Sequence, residues 1–171
     1  RKFPPTLHAL CVQIIGQQLS MKAAGVIAAR FTELAGADGK VTPHRLRSLT
    51  EEQMRAAGLS RAKARTVHAL AEFWEDHKLN ESKARKLCDQ ELLDLLTQVK
   101  GIGPWTVKMF LIFSLHRPDV LPQEDLGLRA GLKKIHGLEE LPTTRETIEL
   151  TKGWPPWSTL GTHFCWEVLK I

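Results

Sequence analysis

The period of the apolar residues constrains this chain more than any other feature. They recur every three or four positions almost from end to end, and no β-branched run alternates with period two. That spacing puts a stripe on one face of a helix, whereas a half-buried strand needs strict alternation. Leu7, Leu10, Cys11, Ile14 and Ile15 begin the pattern over roughly residues 7–19. Ser20 caps a second helix through about Ala35, ending at Gly36, and a polar Gly/Asp stretch over 36–39 breaks the pattern. Thr50-Glu51-Glu52-Gln53 is a capping box for a short helix that stops at Gly58. Ser60 opens a longer helix with Ala64, Val67, Leu70, Ala71 and Trp74 on one face, and Asn80 and Asp89 read as two further caps. Leu92, Leu93, Leu95, Leu96 and Val99 follow, then Lys100-Gly101-Ile102-Gly103-Pro104. Pro104 suits the first turn of the next helix, whose face is Val107, Phe110, Leu111 and Ser114. Arg117-Pro118 and Leu121-Pro122 punctuate a loop before a helix from about Glu124 to His136. Two more helices open at Thr143-Thr144 and at Trp154-Pro155-Pro156-Trp157. The expectation is an all-α fold of about ten short helices.

Composition narrows the class. The 171 residues carry 24 Lys+Arg against 19 Asp+Glu, a net charge of +5, with Gly 12, Pro 9 and Cys 3. Those proportions exclude collagen, long disorder and a disulfide scaffold. No apolar run is long enough to span a bilayer. Arg1-Lys2-Phe3-Pro4-Pro5 does not lead into a signal peptide, because Gln13, Gln17 and Gln18 interrupt the apolar stretch. Three scattered cysteines, Cys11, Cys88 and Cys165, predict reduced thiols in an intracellular compartment. Five Trp and no Tyr, on a basic chain, are compatible with nucleic-acid binding.

Lys100-Gly101-Ile102-Gly103 sits between two amphipathic helices. Glycines at both ends of so tight a turn permit positive φ and close approach of a partner to the backbone. The helix N-terminus that follows presents unpaired N–H groups and a partial positive charge suited to a phosphate, and Lys100 adds a full one. An ordinary helix–helix turn with a glycine cap would carry the same residues. A weaker copy of the element lies at Ala56-Ala57-Gly58-Leu59-Ser60, ahead of Arg61, Lys63 and Arg65. Ser60 and Lys63 there are candidate phosphate contacts, or simply part of a solvated face.

Val99-Lys100-Gly101-Ile102-Gly103-Pro104-Trp105-Thr106, followed by Val120-Leu121-Pro122-Gln123-Glu124-Asp125-Leu126-Gly127, resembles the helix-hairpin-helix DNA glycosylase superfamily. Ile14-Ile15-Gly16-Gln17-Gln18-Leu19-Ser20-Met21-Lys22-Ala23-Ala24 is similar to the opening signature of its 3-methyladenine glycosylase II branch. The resemblance runs from about Leu7 to Val168 and implies two helical lobes with the active site in a cleft between them. It makes residues 1–171 a single glycosylase domain, with the hairpin at about 90–116 and a catalytic loop at about 117–127.

The same resemblance implies the chemistry. The family's catalytic aspartate falls on Asp125, whose carboxylate would stabilise positive charge on the sugar as the C1′–N bond breaks. Trp105, Trp166 and Gln17 fall on base-pocket positions, and indole faces attract a cationic alkylated purine. Gln18 falls on the residue that fills the hole left by a flipped nucleotide. Lys100, Gly101 and Gly103 contact phosphate, and the carbonyls of Thr97, Val99 and Ile102 match a Na⁺ or K⁺ site that bridges to DNA. Bifunctional relatives resembling endonuclease III have a lysine where Trp105 stands, so no strand cleavage is expected. Three scattered cysteines cannot hold an iron–sulfur cluster, and no His/Cys pattern has zinc spacing. The implied protein is a monomeric, monofunctional DNA glycosylase without a required cofactor, acting on duplex DNA that contains alkylated purines. The alternatives are a glycosylase for mismatched, deaminated or oxidised bases, and a non-catalytic DNA-binding module.

Overall fold

The computed structural model describes residues 6–36 and 40–170, and among them every regular element is helical. The break expected at 36–39 and the segment Arg1–Pro5 fall largely outside the described residues. No helix there is long and apolar enough to cross a membrane. The chain divides into two compact units, one up to Phe110 and one from Leu111 onward.

The first unit holds α1 (Thr6–Gly16), α2 (Met21–Ala35), α3 (Pro43–Ser48), α4 (Glu51–Ala56), α5 (Arg61–Asp76), α6 (Glu81–Lys86), α7 (Asp89–Leu96) and α8 (Pro104–Phe110). Their starts are chemical. Ser20, Thr42, Thr50, Ser60 and Asn80 each turn a side-chain oxygen onto a backbone N–H of the first turn. Helix α7 begins at Asp89 itself, one residue earlier than a cap at Asp89 would place it. Cys88 is the cap, its Sγ accepting from Glu91 N at 3.4 Å while the Glu91 carboxylate returns to Cys88 N at 2.7 Å. Helix α3 was not anticipated, although Thr42-Pro43 is a cap followed by proline at the first helical position. Leu10, Ile14, Phe31, Leu46, Met54, Leu70, Trp74, Leu92, Leu96 and Phe110 are buried, which puts the predicted apolar stripes and Trp74 in the core.

The second unit begins with a π-helical segment, Leu111–Leu115, continuing directly from α8, and then holds α9 (Leu126–His136), α10 (Thr144–Leu150) and α11 (Ser158–Val168). Its core is Leu128, Leu132 and Cys165, with Leu121 and Trp154 packed against it. Helix α9 starts two residues later than expected, because Asp125 is its cap and not its second residue. Helices α9 and α11 pack closely because Gly131 has no side chain: a Cβ there would lie 2.4 Å from the Cys165 carbonyl oxygen. Trp157 is 62% exposed, as are its neighbours Leu160 and Phe164 at 67% and 62%.

Candidate functional site

In the first unit the hairpin joins α7 to α8 through a turn closed by Ile102 N–H donating to Val99 O at 3.0 Å. Val99 and Ile102 bury their side chains while Lys100, Gly101, Gly103 and Pro104 face outward. The two glycines differ in what they need. Gly101 has φ +94°, and a Cβ on it would lie 2.1 Å from Thr66 Oγ1 of α5. Its close approach is to this chain's own helix, so the turn is seated on α5. Gly103 has nothing within 4 Å of its Cβ position, so the fold itself leaves open the space beside its backbone.

Thr97 is the C-terminal cap of α7, just before this turn, and Val99 and Ile102 bound it. Val99 O shares its lone pairs with Ile102 N–H. Among the described residues no group of three His, Cys, Asp or Glu side chains gathers to hold a metal.

The turn after α1 is tied to the hairpin. Gln17 Nε2 donates to Gly101 O at 3.1 Å and to Thr106 Oγ1 at 2.8 Å. Its amide is therefore a brace on the hairpin. Gln18 is exposed and sits at φ +56°, a left-handed conformation that a non-glycine residue holds only when its surroundings impose it. Lys63 supplies part of that imposition. Its Nζ donates to Ile15 O at 2.8 Å and Gln17 O at 2.7 Å, capping the carbonyl end of α1. Partial burial holds its ammonium below the usual lysine range. Lys63 thus points into the turn rather than outward to a phosphate as expected. Ser60, which is exposed, caps α5 by accepting from Lys63 N at 3.2 Å. Trp105 is half-buried on the first turn of α8.

In the second unit Asp125 is 9% exposed at the N-terminus of α9. Its Oδ1 accepts two bonds, from Leu128 N at 2.7 Å and from Trp166 Nε1 at 2.8 Å. The aspartate is a helix cap and, in addition, a carboxylate oriented by an indole. Trp166 thereby has a duty the sequence did not suggest. Phe113 also stacks on its ring, centroids 5.4 Å apart at 13°, and His163 stands edge-on to both rings at 5.6 and 5.2 Å. Phe113 is 45% exposed, so an aromatic wall continues outward from the indole that holds the carboxylate.

The loop leading to Asp125 is pinned from α11. Asp119 Oδ1 accepts from Ser158 N at 3.1 Å and Ser158 Oγ at 2.5 Å, doing for α11 what its own cap residue Trp157 does not. Thr159 Oγ1 donates to Arg117 O at 2.7 Å and accepts from Val120 N at 3.1 Å. Asp119, Ser158, Thr159 and Phe113 were all missed. Their partners lie 39–42 residues off for the first three and about fifty for Phe113, and nothing local marks them.

Residues 11–156 match the model of the HhH-GPD superfamily base excision DNA repair proteins. The chain belongs to that superfamily. Within the HhH-GPD superfamily it is 36% identical over 159 residues to DNA-3-methyladenine glycosylase 1 of Schizosaccharomyces pombe, covering 92% of this chain and 70% of the relative. The solved structure of the S. pombe 3-methyladenine DNA glycosylase Mag1 in complex with abasic DNA superposes with TM-score 0.92 at 35% identity. It covers 98% of this chain and 82% of that one. A DNA-3-methyladenine glycosidase of Bacillus halodurans superposes with TM-score 0.80 at 33% identity, covering 96% and 75%. Both solved structures superpose over nearly the whole of this chain.

Proposed function

We propose that this chain is a monofunctional DNA glycosylase that hydrolyses the N-glycosidic bond of alkylated purines, of the 3-methyladenine and 7-methylguanine type, in duplex DNA. The observation that carries the reading is the buried carboxylate of Asp125, oriented by Leu128 N–H and Trp166 Nε1 in a protein of a DNA-repair superfamily. The names of its relatives, which specify 3-methyladenine, support an alkylated purine as the substrate.

The chemistry asks little of an acid. An alkylated ring nitrogen makes the base cationic, so it leaves as a neutral molecule when the C1′–N bond breaks. The positive charge passes to the sugar, where the Asp125 carboxylate opposes it, and water then adds at C1′ and gives up a proton. The other product is an abasic site. Trp105 offers an electron-rich face to the cationic base, with no lysine at that position to open a strand-cleaving path.

DNA is held from the first unit. Lys100 and the backbone at Gly103 face the phosphate, with Gly101 shaping the turn. The carbonyls of Thr97, Val99 and Ile102 would hold a monovalent cation, which would supply positive charge for the phosphate contact. Gln18 fills the stack vacated by the flipped nucleotide, held in place by Gln17 and Lys63. The two units act as one glycosylase domain on DNA inside the cell, as a monomer.

The test is release of free base from methylated duplex DNA, followed by chromatography, beside the Asp125→Asn variant. Base release with strands intact until alkali is added is the expected result. Release unaffected by the substitution would overturn the role of Asp125, and nicking without alkali would overturn the monofunctional reading.

A further inference from the structure

We propose that Gly127 is a positioning residue for excision: its missing side chain is what lets the Trp166 indole reach and orient the Asp125 carboxylate. The inference rests on the glycosylase reading above.

Gly127 lies in the first turn of α9, where its backbone has no left-handed conformation to require glycine. Glycine is among the poorest helix formers, so its presence there needs another cause. The cause is space. A Cβ at residue 127 would lie 2.9 Å from Trp166 Cδ1, 3.0 Å from Trp166 Nε1 and 3.1 Å from Asp125 Oδ1. Those are the donor, its neighbouring ring atom and the acceptor of the 2.8 Å bond from Trp166 to Asp125. A methyl group would therefore drive the indole out along the line of that bond, while Leu128 N would still reach Oδ1.

Gly131, one turn further along α9, makes the contrast. A Cβ there would meet the Cys165 backbone, its carbonyl oxygen at 2.4 Å and carbonyl carbon at 2.8 Å. Gly131 governs how closely the two helices pack, whereas Gly127 governs a single side chain at the carboxylate. The first should matter to stability and the second to the rate of base release.

The experiment compares Gly127→Ala, Trp166→Phe, the double variant and Gly131→Ala, all in the full chain. Gly127→Ala is expected to lower kcat for 7-methylguanine release at least tenfold, with affinity for abasic duplex DNA changed less than twofold. Trp166→Phe keeps an aromatic side chain and removes the donor, so the double variant should be no slower than Trp166→Phe alone. Gly131→Ala should instead lower Tm. A second readout needs no substrate. The indole N–H signal of Trp166 in a 15N-resolved NMR spectrum, identified by its loss in Trp166→Phe, should move in both Asp125→Asn and Gly127→Ala. Full activity in Gly127→Ala, losses that multiply in the double variant, or an indole signal unmoved by Gly127→Ala would each overturn the proposal. If the unaltered chain released no base, the glycosylase reading would fall, and the indole signal alone would decide whether Gly127 admits Trp166 to Asp125.

Discussion

The two units hold their working groups in opposite ways. In the first, long polar side chains reach out to hold backbone: Lys63 grips the carbonyls of Ile15 and Gln17, and Gln17 grips the carbonyl of Gly101. What is presented is a shape, made of a hairpin and a left-handed turn. In the second, the backbone N–H of Leu128 and the ring N–H of Trp166 hold one side chain, Asp125. What is presented there is a single reactive group. A surface that binds DNA by its phosphates needs many positions fixed at modest precision, whereas a carboxylate beside a developing charge needs one oxygen pair fixed closely.

The largest test of that contrast is Asp125→Asn. Asparagine caps a helix about as well as aspartate, so thermal unfolding should move little. Base release should fall by about 100-fold or more, the size of effect seen when a preorganised charge is removed from the reacting centre. A large fall in Tm with activity retained would reduce Asp125 to a cap. Gly101→Ala should do the reverse. With φ +94° and Thr66 Oγ1 2.1 Å from the added Cβ, the cost is about 2–3 kcal/mol, read as a drop in Tm. Affinity should weaken equally for all DNA sequences, and a base-specific loss would break the comparison.

Lys63→Met keeps the stem and deletes the ammonium. Loss of its two bonds to the end of α1 is expected to cost about 1 kcal/mol and to reduce excision severalfold, because the Gln18 turn loosens. Loss of binding to undamaged DNA on a scale matching a phosphate contact, with a lower salt dependence, would restore Lys63 to the phosphate-facing role. The smallest effect is on acid stability. Backbone and side-chain bonds from Cys88 hold Glu91 below the ordinary glutamate range, and those from Thr143 do the same for Glu146. A folded pKa below the unfolded one gives stability that is complete above the ordinary carboxyl range and is lost as pH falls through the folded value. Glu91→Gln and Glu146→Gln should therefore flatten the acid limb of a Tm–pH curve by lowering Tm slightly at neutral pH, with the values at the lowest pH nearly unchanged.

Most of the fold was legible because helix ends are written locally. Ser20, Thr50, Ser60, Asn80 and Thr143 lie within three residues of the N–H groups they cap. Cys88 escaped because sulfur is a weak acceptor and an unusual cap. The hairpin and Asp125 were legible through their glycines and through the superfamily resemblance. What the sequence hid are bonds between distant residues: Lys63 to Ile15 spans 48 positions and Trp166 to Asp125 spans 41. No spacing rule reaches that far. Such pairings come only from how helices cross, and a crossing such as Gly131 against Cys165 is set by absent atoms as much as by present ones.

The three thiols have unequal fates in practice. Burial pushes Cys11 up to about 12 and Cys165 up to about 11, so neither offers appreciable thiolate at neutral pH. Cys88 is exposed. A maleimide dye should therefore attach at Cys88 alone, without engineering, at the start of α7 and about 12 Å of helix from the hairpin turn. The protein carries its own handle for watching single molecules travel along DNA.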